Sequence, residues 1–149
     1  MGIGGLVGAQ RTELVEAIFG LRSVERGKIF IHGQEVSVRS PIDAKRHKIA
    51  LLTEERRVTG IIPVLSVLDN TVIANLRRYS NAAGFVNERR CREDTTENID
   101  KLRLKTPSMR ALIANLSGGN QQKVLLARWL LCETDILILV ETTRGIDVW

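Results

Sequence analysis

The sequence predicts an α/β protein, a parallel sheet flanked by helices and interrupted by a helical insertion. Three observations predict it. Strand-like runs alternate with helix-like runs at both ends of the chain. The run Ile136-Leu-Ile-Leu-Val140 is continuous and β-favouring, as in a central parallel strand. From residue 66 to about residue 103 the pattern is helical and charged, with no strand candidate.

Each element follows from local chemistry. Residues 3–7 read as a short buried strand running into a glycine-containing turn. Leu14, Val15 and Ile18 give residues 12–19 helical spacing, and Gly20 stops that helix. Residues 28–31 alternate as a strand and end at His32 and Gly33. Ser40 and Pro41 are an N-cap and a first helical residue for a helix over 41–48. Residues 49–53 form the next apolar strand. Ser66 caps a helix over 67–76, Asn87 caps a more polar one, and Ser117 caps one running to Leu131. The sheet core is expected over residues 1–53 and 116–149, and the insertion over about 54–115.

The totals bound the function. A chain of 149 residues is one domain's worth. With 44% hydrophobic and 26% charged residues it is ordinary globular sequence, neither disordered nor fibrous. A net charge of +5 favours anionic partners in general. The densest basic cluster, Arg89, Arg90 and Arg92, is interleaved with Glu88, Glu93 and Asp94 and reads as a solvated helix face. Aromatics do not interleave with it, so no nucleic-acid partner is expected. Cys91 and Cys132 match no metal-ligand spacing and are expected as reduced thiols of a cytosolic protein. His32 and His47 have no partner motif and are expected in loops or on exposed faces. Arg128 interrupts the best apolar run, 124–131, so no membrane span is expected. No leader pattern opens the chain, and a soluble protein that reaches membranes through a partner is expected.

Three segments carry chemistry. Gly5-Leu-Val-Gly8-Ala-Gln10-Arg11-Thr12 follows a strand and opens a helix, the context of a phosphate-binding loop. There backbone amides cradle phosphate, a cation reaches the outer phosphates, and a hydroxyl holds magnesium. Gly5 and Thr12 fit; Gln10 stands in place of the second glycine and Arg11 in place of lysine. Alone, the segment reads first as a plain strand–turn–helix. Leu116-Ser117-Gly118-Gly119-Asn120-Gln121-Gln122-Lys123 is the second segment. Its serine and paired glycines can present donors to a γ-phosphate at a helix start, and a capped helix explains only the serine. The third is the strand ending in Val140-Glu141. An aspartate–glutamate pair at such a strand end supports magnesium and orients water. Glu141 is present, as a catalytic carboxylate or a solvated strand-end one, but valine offers the metal no oxygen.

In this order the segments resemble ATP-binding cassette proteins of monosaccharide import, of the galactoside type. Thr53 to Arg57, Gly60-Ile61, Lys105 to Pro107 and Arg128 to Leu131 share the likeness, which runs from Gly5 to Val148. The resemblance implies a P-loop NTPase-like parallel sheet core with an inserted helical subdomain, and a position as the second of two cassettes. It implies ATP and Mg2+ as cofactors. Nucleotide-binding roles fall on Gly5, Gly8, Arg11, Thr12, Glu54, Ser117, Gly118, Gly119, Gln121 and Asp147, with Thr12 on the metal and Glu141 catalytic. The second cassette, a sugar permease and, indirectly, a periplasmic sugar-binding protein are the implied partners, and the inner face of the cell membrane is the implied place. The family's usual Asp-Glu-Pro-Thr is here Val140-Glu141-Thr142-Thr143. The strands before the phosphate loop, the switch-histidine segment and the first cassette are lacking, so an incomplete domain is expected.

The losses form a pattern. The segment offered to a partner's nucleotide, 116–121, is intact, and those serving the chain's own nucleotide are altered at Gln10, Arg11 and Val140. The expectation is a domain that completes a partner's ATP site while its own hydrolyses poorly. Two rivals stand beside it, a non-catalytic remnant that binds nucleotide or permease, and a gene fragment without function.

Overall fold

The computed structural model describes residues 10–24, 26–53 and 60–140. The strand expected at 3–7 lies outside them. The chain divides into two compact units, one of residues up to 51 with 134–140, the other built on 52–133.

In the first unit, α1 (Arg11–Ile18) begins after Gln10 and ends at Phe19. Gly20 follows with φ +77°, and a Cβ there would meet the Ser40 backbone nitrogen at 2.6 Å. Both the left-handed turn and the close approach require glycine. β1 (Ile29–Ile31) and β2 (Gln34–Val36) pair antiparallel, with Ile31 opposite Gln34. His32 and Gly33 between them both have positive φ, 49° and 79°, the backbone of a tight two-residue hairpin turn. β2 has no counterpart among the expected strands, because Gln34-Glu35-Val36 is short and polar and is recruited by the turn rather than by an apolar pattern. His32 is exposed and His47 half-buried at the end of α2 (Pro41–Arg46).

Ser40 caps α2, its Oγ accepting from the Asp43 amide at 3.2 Å and donating to Asp43 Oδ2 at 2.8 Å. That hydroxyl, then the Arg39 amide and Arg46, hold the Asp43 carboxyl below its usual range. All four residues of β3 (Ile49–Leu52) are buried. β3 pairs with β4 (Ile136–Leu139). The Lys48 carbonyl accepts from both the Asp135 and Ile136 amides, so the two strands start at the same end and run parallel. β4 is not covered on both faces as its unbroken apolar run suggests. Its residues alternate half-buried and exposed, with Leu139 at 53%. Among the described residues β3 is its sole sheet neighbour.

The second unit is helical. α3 (Val67–Val72) opens with a reciprocal box in which Ser66 accepts from the Asp69 amide and Asp69 accepts from the Ser66 amide. It passes through a 3-10 turn at Ile73–Asn75 into α4 (Leu76–Tyr79), so the helix expected over 67–76 is broken. The break is where the Asn75 side chain donates to the Leu131 carbonyl at 2.6 Å. Asn87 caps α5 (Glu88–Lys101) through the Arg90 amide. Its basic cluster is paired along one helix, Arg89 with Glu93 and Arg92 with Glu88, as a solvated face should be.

α6 (Gly118–Leu130) packs on α3 and α5. Its buried stripe is Gln121, Val124, Leu125 and Ala127. Val124 and Leu125 join Leu52, Ile61, Val67, Leu104, Ile113 and Leu116 in one apolar cluster. Each such full burial stabilises by about 1.5–3 kcal/mol. Residues 116–130 pack in the helical unit, where the apolar stripe of α6 faces α3 and α5. No helix of the described residues is long and apolar enough to cross a membrane.

Candidate functional site

The start of α6 is held from beneath. Gln121, 1% exposed, turns its side chain inward, and Nε2 donates to the Ile113 carbonyl at 3.2 Å and the Leu116 carbonyl at 3.1 Å. Leu116 is buried in the apolar cluster, so the residue before the cap is pinned by packing and by Gln121. Asn120 works from the other side. Its Oδ1 accepts from the Lys105 amide at 2.9 Å and its Nδ2 donates to Ser117 Oγ at 3.0 Å. Lys123 Nζ donates to the Arg103 carbonyl at 2.9 Å. The loop before α6 is therefore tied to the 103–105 segment.

What this bracing presents is an uncapped helix start. Ser117 occupies the cap position, yet no side chain bonds the first-turn amides, since its hydroxyl is engaged by Asn120. The expected capping bond by Ser117 does not form. A helix start leaves its first amides without helical partners and carries the positive end of the helix dipole. No acidic side chain stands in the first turn to neutralise it. Ser117 is exposed, Gly118 and Gly119 are half-buried, and a Cβ at Gly119 would meet nothing within 4 Å. Nothing among the described residues demands glycine at 119. The space it leaves is open to an incoming group.

Of the expected nucleotide contacts, Ser117, Gly118 and Gly119 share this end. Gln121 does not join them. Its side chain is buried and shapes the loop, because an inward amide there donates to the Leu116 carbonyl and adds a second bond to the Ile113 carbonyl, which also accepts from the Leu116 amide. Asn120 and Lys123 carry the bracing, and the motif alone gave no sign of which side chains would turn inward.

The start of α1 differs. Gln10 precedes the helix in the left-handed region, φ 51° and ψ 29°, with no side-chain cap. The backbone there keeps a conformation suited to the glycine that the sequence has replaced. Thr12, in the first turn, is exposed. The Arg11 backbone opens α1, while its side chain, Gly5, Gly8, Glu54, Glu141 and Asp147 lie outside the described residues. Val140, half-buried, directly follows β4. Neither Cys91 nor Cys132 is in a disulfide; Cys91 is buried, and its pKa is raised chiefly by that burial. No group of metal-ligating side chains occurs among the described residues.

The ABC transporter family matches residues 1–144 of the chain. The chain belongs to that family. A galactose/methyl galactoside import ATP-binding protein of Clostridium tetani is 62% identical over 148 residues, 99% of this chain and 29% of the relative. The protein of the same description from Escherichia coli K12 is 49% identical over 148 residues, again 99% of this chain and 29% of its own length. The chain thus spans under a third of the length of these relatives. Among solved structures, a dimeric ATP-binding cassette in a post-hydrolysis state with ADP and Pi superposes with a TM-score of 0.74 at 20% identity. That match covers 96% of this chain and 60% of the other, and the likeness is one of fold. The fold is that of the ATP-binding cassette.

The described residues fit the two implied cofactors unequally. A phosphate group suits the start of α6, with its unneutralised dipole and open space above Gly119. Magnesium at the chain's own nucleotide does not suit Val140, which has no donor atom where a carboxylate is needed. Thr12 is left as the sole described residue expected on that ion.

Proposed function

We propose that this chain is part of the ATP-binding subunit of a monosaccharide importer, and that its α6 end completes the ATP site of a partner cassette. The observation that carries this is the open, braced and uncapped start of α6, in a chain of the ABC transporter family. The galactoside class comes from the relatives' descriptions. The partners in this reading are a second cassette, a sugar permease that holds the chain at the inner face of the membrane, and through it a periplasmic sugar-binding protein.

In the mechanism, Ser117 and the amides of the first turn of α6 donate to phosphate oxygens. Gln121 and Asn120 hold those donors in place, so little reorganisation is needed when the phosphate arrives. Gly118 and Gly119 let it approach the backbone closely. Bound ATP supplies the phosphoryl group whose hydrolysis drives transport, and magnesium neutralises its charge. The chain's own nucleotide falls to Gly5, Gly8, Arg11, Thr12, Glu54 and Asp147, with Glu141 to orient water. Gln10, Arg11 and Val140 make that site the weaker of the two.

The test is multiple-turnover phosphate release by the chain mixed with a competent partner cassette. Turnover that requires both proteins supports the reading, and its absence favours a remnant that binds without catalysis. Val140→Asp restores a carboxylate to the strand end and is expected to raise turnover at the chain's own site about tenfold. Unchanged turnover would sink the account of that site.

A further inference from the structure

One loop grips α6 at both ends. Near the start of the helix, Gln121 Nε2 donates to the Ile113 carbonyl, and the Ile113 amide in turn donates to the Leu65 carbonyl at 3.1 Å. About two turns further along the same face stands Arg128. Its Nη1 donates to the Gly60 carbonyl at 2.8 Å, its Nε to the Asn70 carbonyl at 2.7 Å and its Nη2 to Asn70 Oδ1 at 3.1 Å. Asn70, fully buried, closes the circuit. Its Nδ2 donates to the carbonyls of Ile62, Leu65 and Ser66, and its Oδ1 accepts from the Ile62 amide at 2.9 Å. Residues 60–66 are thus linked to α6 through Ile113 and the Gln121 side chain at one end and through a guanidinium at the other.

Stability alone does not account for an arginine here. No carboxylate pairs with it among the described residues, and burial pushes its pKa down to about 10. A buried charge without a counter-ion is costly, and an apolar side chain of similar volume is often as stable or more so. What the guanidinium adds is geometry, a rigid planar fork whose three bonds fix one arrangement of loop and helix. The acceptors are two carbonyls and one amide oxygen, so the arrangement is a matter of backbone position.

We propose that Arg128 and Asn70 are positioning residues that lock the 60–66 loop to α6, so that the loop and the phosphate-facing end of the helix move as one piece. The proposal rests on the reading of that end given above. The loop follows directly on the segment containing Glu54. A displacement of residues 60–66 is then passed to the end of α6 that carries Ser117 and Gly119.

The test is residue-resolved amide hydrogen exchange on the full chain, with ATP turnover in the presence of a partner cassette. In Arg128→Lys, which keeps the charge and loses the fork, the amides of Ile62 and Gln121 are expected to exchange faster by a common factor of about ten, with α5 unchanged. Partner-dependent kcat is expected to fall about tenfold with KM within about twofold, because orientation and not initial binding is lost. Asn70→Ser is expected to reproduce the joint acceleration and guards against a lysine that finds substitute partners. Acceleration at Ile62 alone overturns the proposal. So does uniform acceleration that includes α5, which marks Arg128 as a general prop. A wild-type pair without partner-dependent turnover sinks the phosphate-facing reading instead, and the exchange pattern still decides the lock.

Discussion

The starts of α1 and α6 are the two helix ends that the proposed function sets against phosphate, and they are built differently. α6 places two glycines in its first turn and braces the end with the inward side chains of Asn120 and Gln121. α1 keeps a left-handed backbone at Gln10, where a side chain now stands, and has no side-chain cap. The difference lies in what each end shows: every helix start has free amide donors, and at α6 inward side chains also fix the loop that leads into them. The motif that survives unaltered in the sequence has support beneath it.

Breaking the brace should have the largest effect. Gln121→Leu removes the donor to two carbonyls, of which Ile113 keeps its bond from the Leu116 amide while Leu116 loses its side-chain donor in the interior. A loss of about 3 kcal/mol in unfolding free energy is expected by denaturant titration. A loss under about 0.5 kcal/mol would mean the loop holds its shape by apolar packing alone. Gly119→Asp separates binding from folding. The open space above Gly119 admits the side chain, and an acid in a first helical turn is compatible with the dipole. The melting temperature should stay within about 2 °C while partner-dependent turnover falls about 100-fold, roughly 2.7 kcal/mol of transition-state stabilisation. Equal turnover in the variant would place the phosphate elsewhere.

At α1 the comparison runs the other way. Gln10→Gly should stabilise by about 1 kcal/mol, because it relieves a left-handed non-glycine residue that is exposed and packs little. Destabilisation would show that the glutamine side chain has taken on a structural role.

The smallest effect concerns pH and probes the helical unit alone. Tyr79, 2% exposed, donates to Asp94 at 2.9 Å, and burial followed by that bond raises its pKa well above the ordinary 10.0. A raised value means the folded chain keeps a proton that the unfolded chain loses. The contribution is therefore whole below pH 10 and declines as pH rises from there. Against Tyr79→Phe, the wild type should lose stability more steeply between pH 10 and 11.5 by about 1 kcal/mol, measured by urea midpoints. Parallel curves would mean that the phenol titrates freely.

Local chemistry was legible in the sequence wherever partners are near neighbours. Ser40, Ser66 and Asn87 cap the helices they were expected to cap, because an N-cap reaches an amide three residues on. Gly20 ends α1 for the same local reason, although its collision with Ser40 was not readable. The ATP-binding cassette fold was legible too, through motifs whose order and spacing carry the family's chemistry. β2 escaped notice because its residues have no apolar alternation of their own.

The sequence by itself determined the fold class, the family and the intact motif at the start of α6. These rest on residue types and spacings that do not depend on where distant segments lie. Tertiary structure alone decided that Gln121 turns inward, that Asn120 rather than an amide takes the Ser117 hydroxyl, and that Arg128 reaches Asn70 and Gly60. The last pairs are separated by 58 and 68 residues, and no local pattern marks them. A buried amide or guanidinium must find its partners wherever packing brings carbonyls within reach, and packing is a property of the folded chain as a whole.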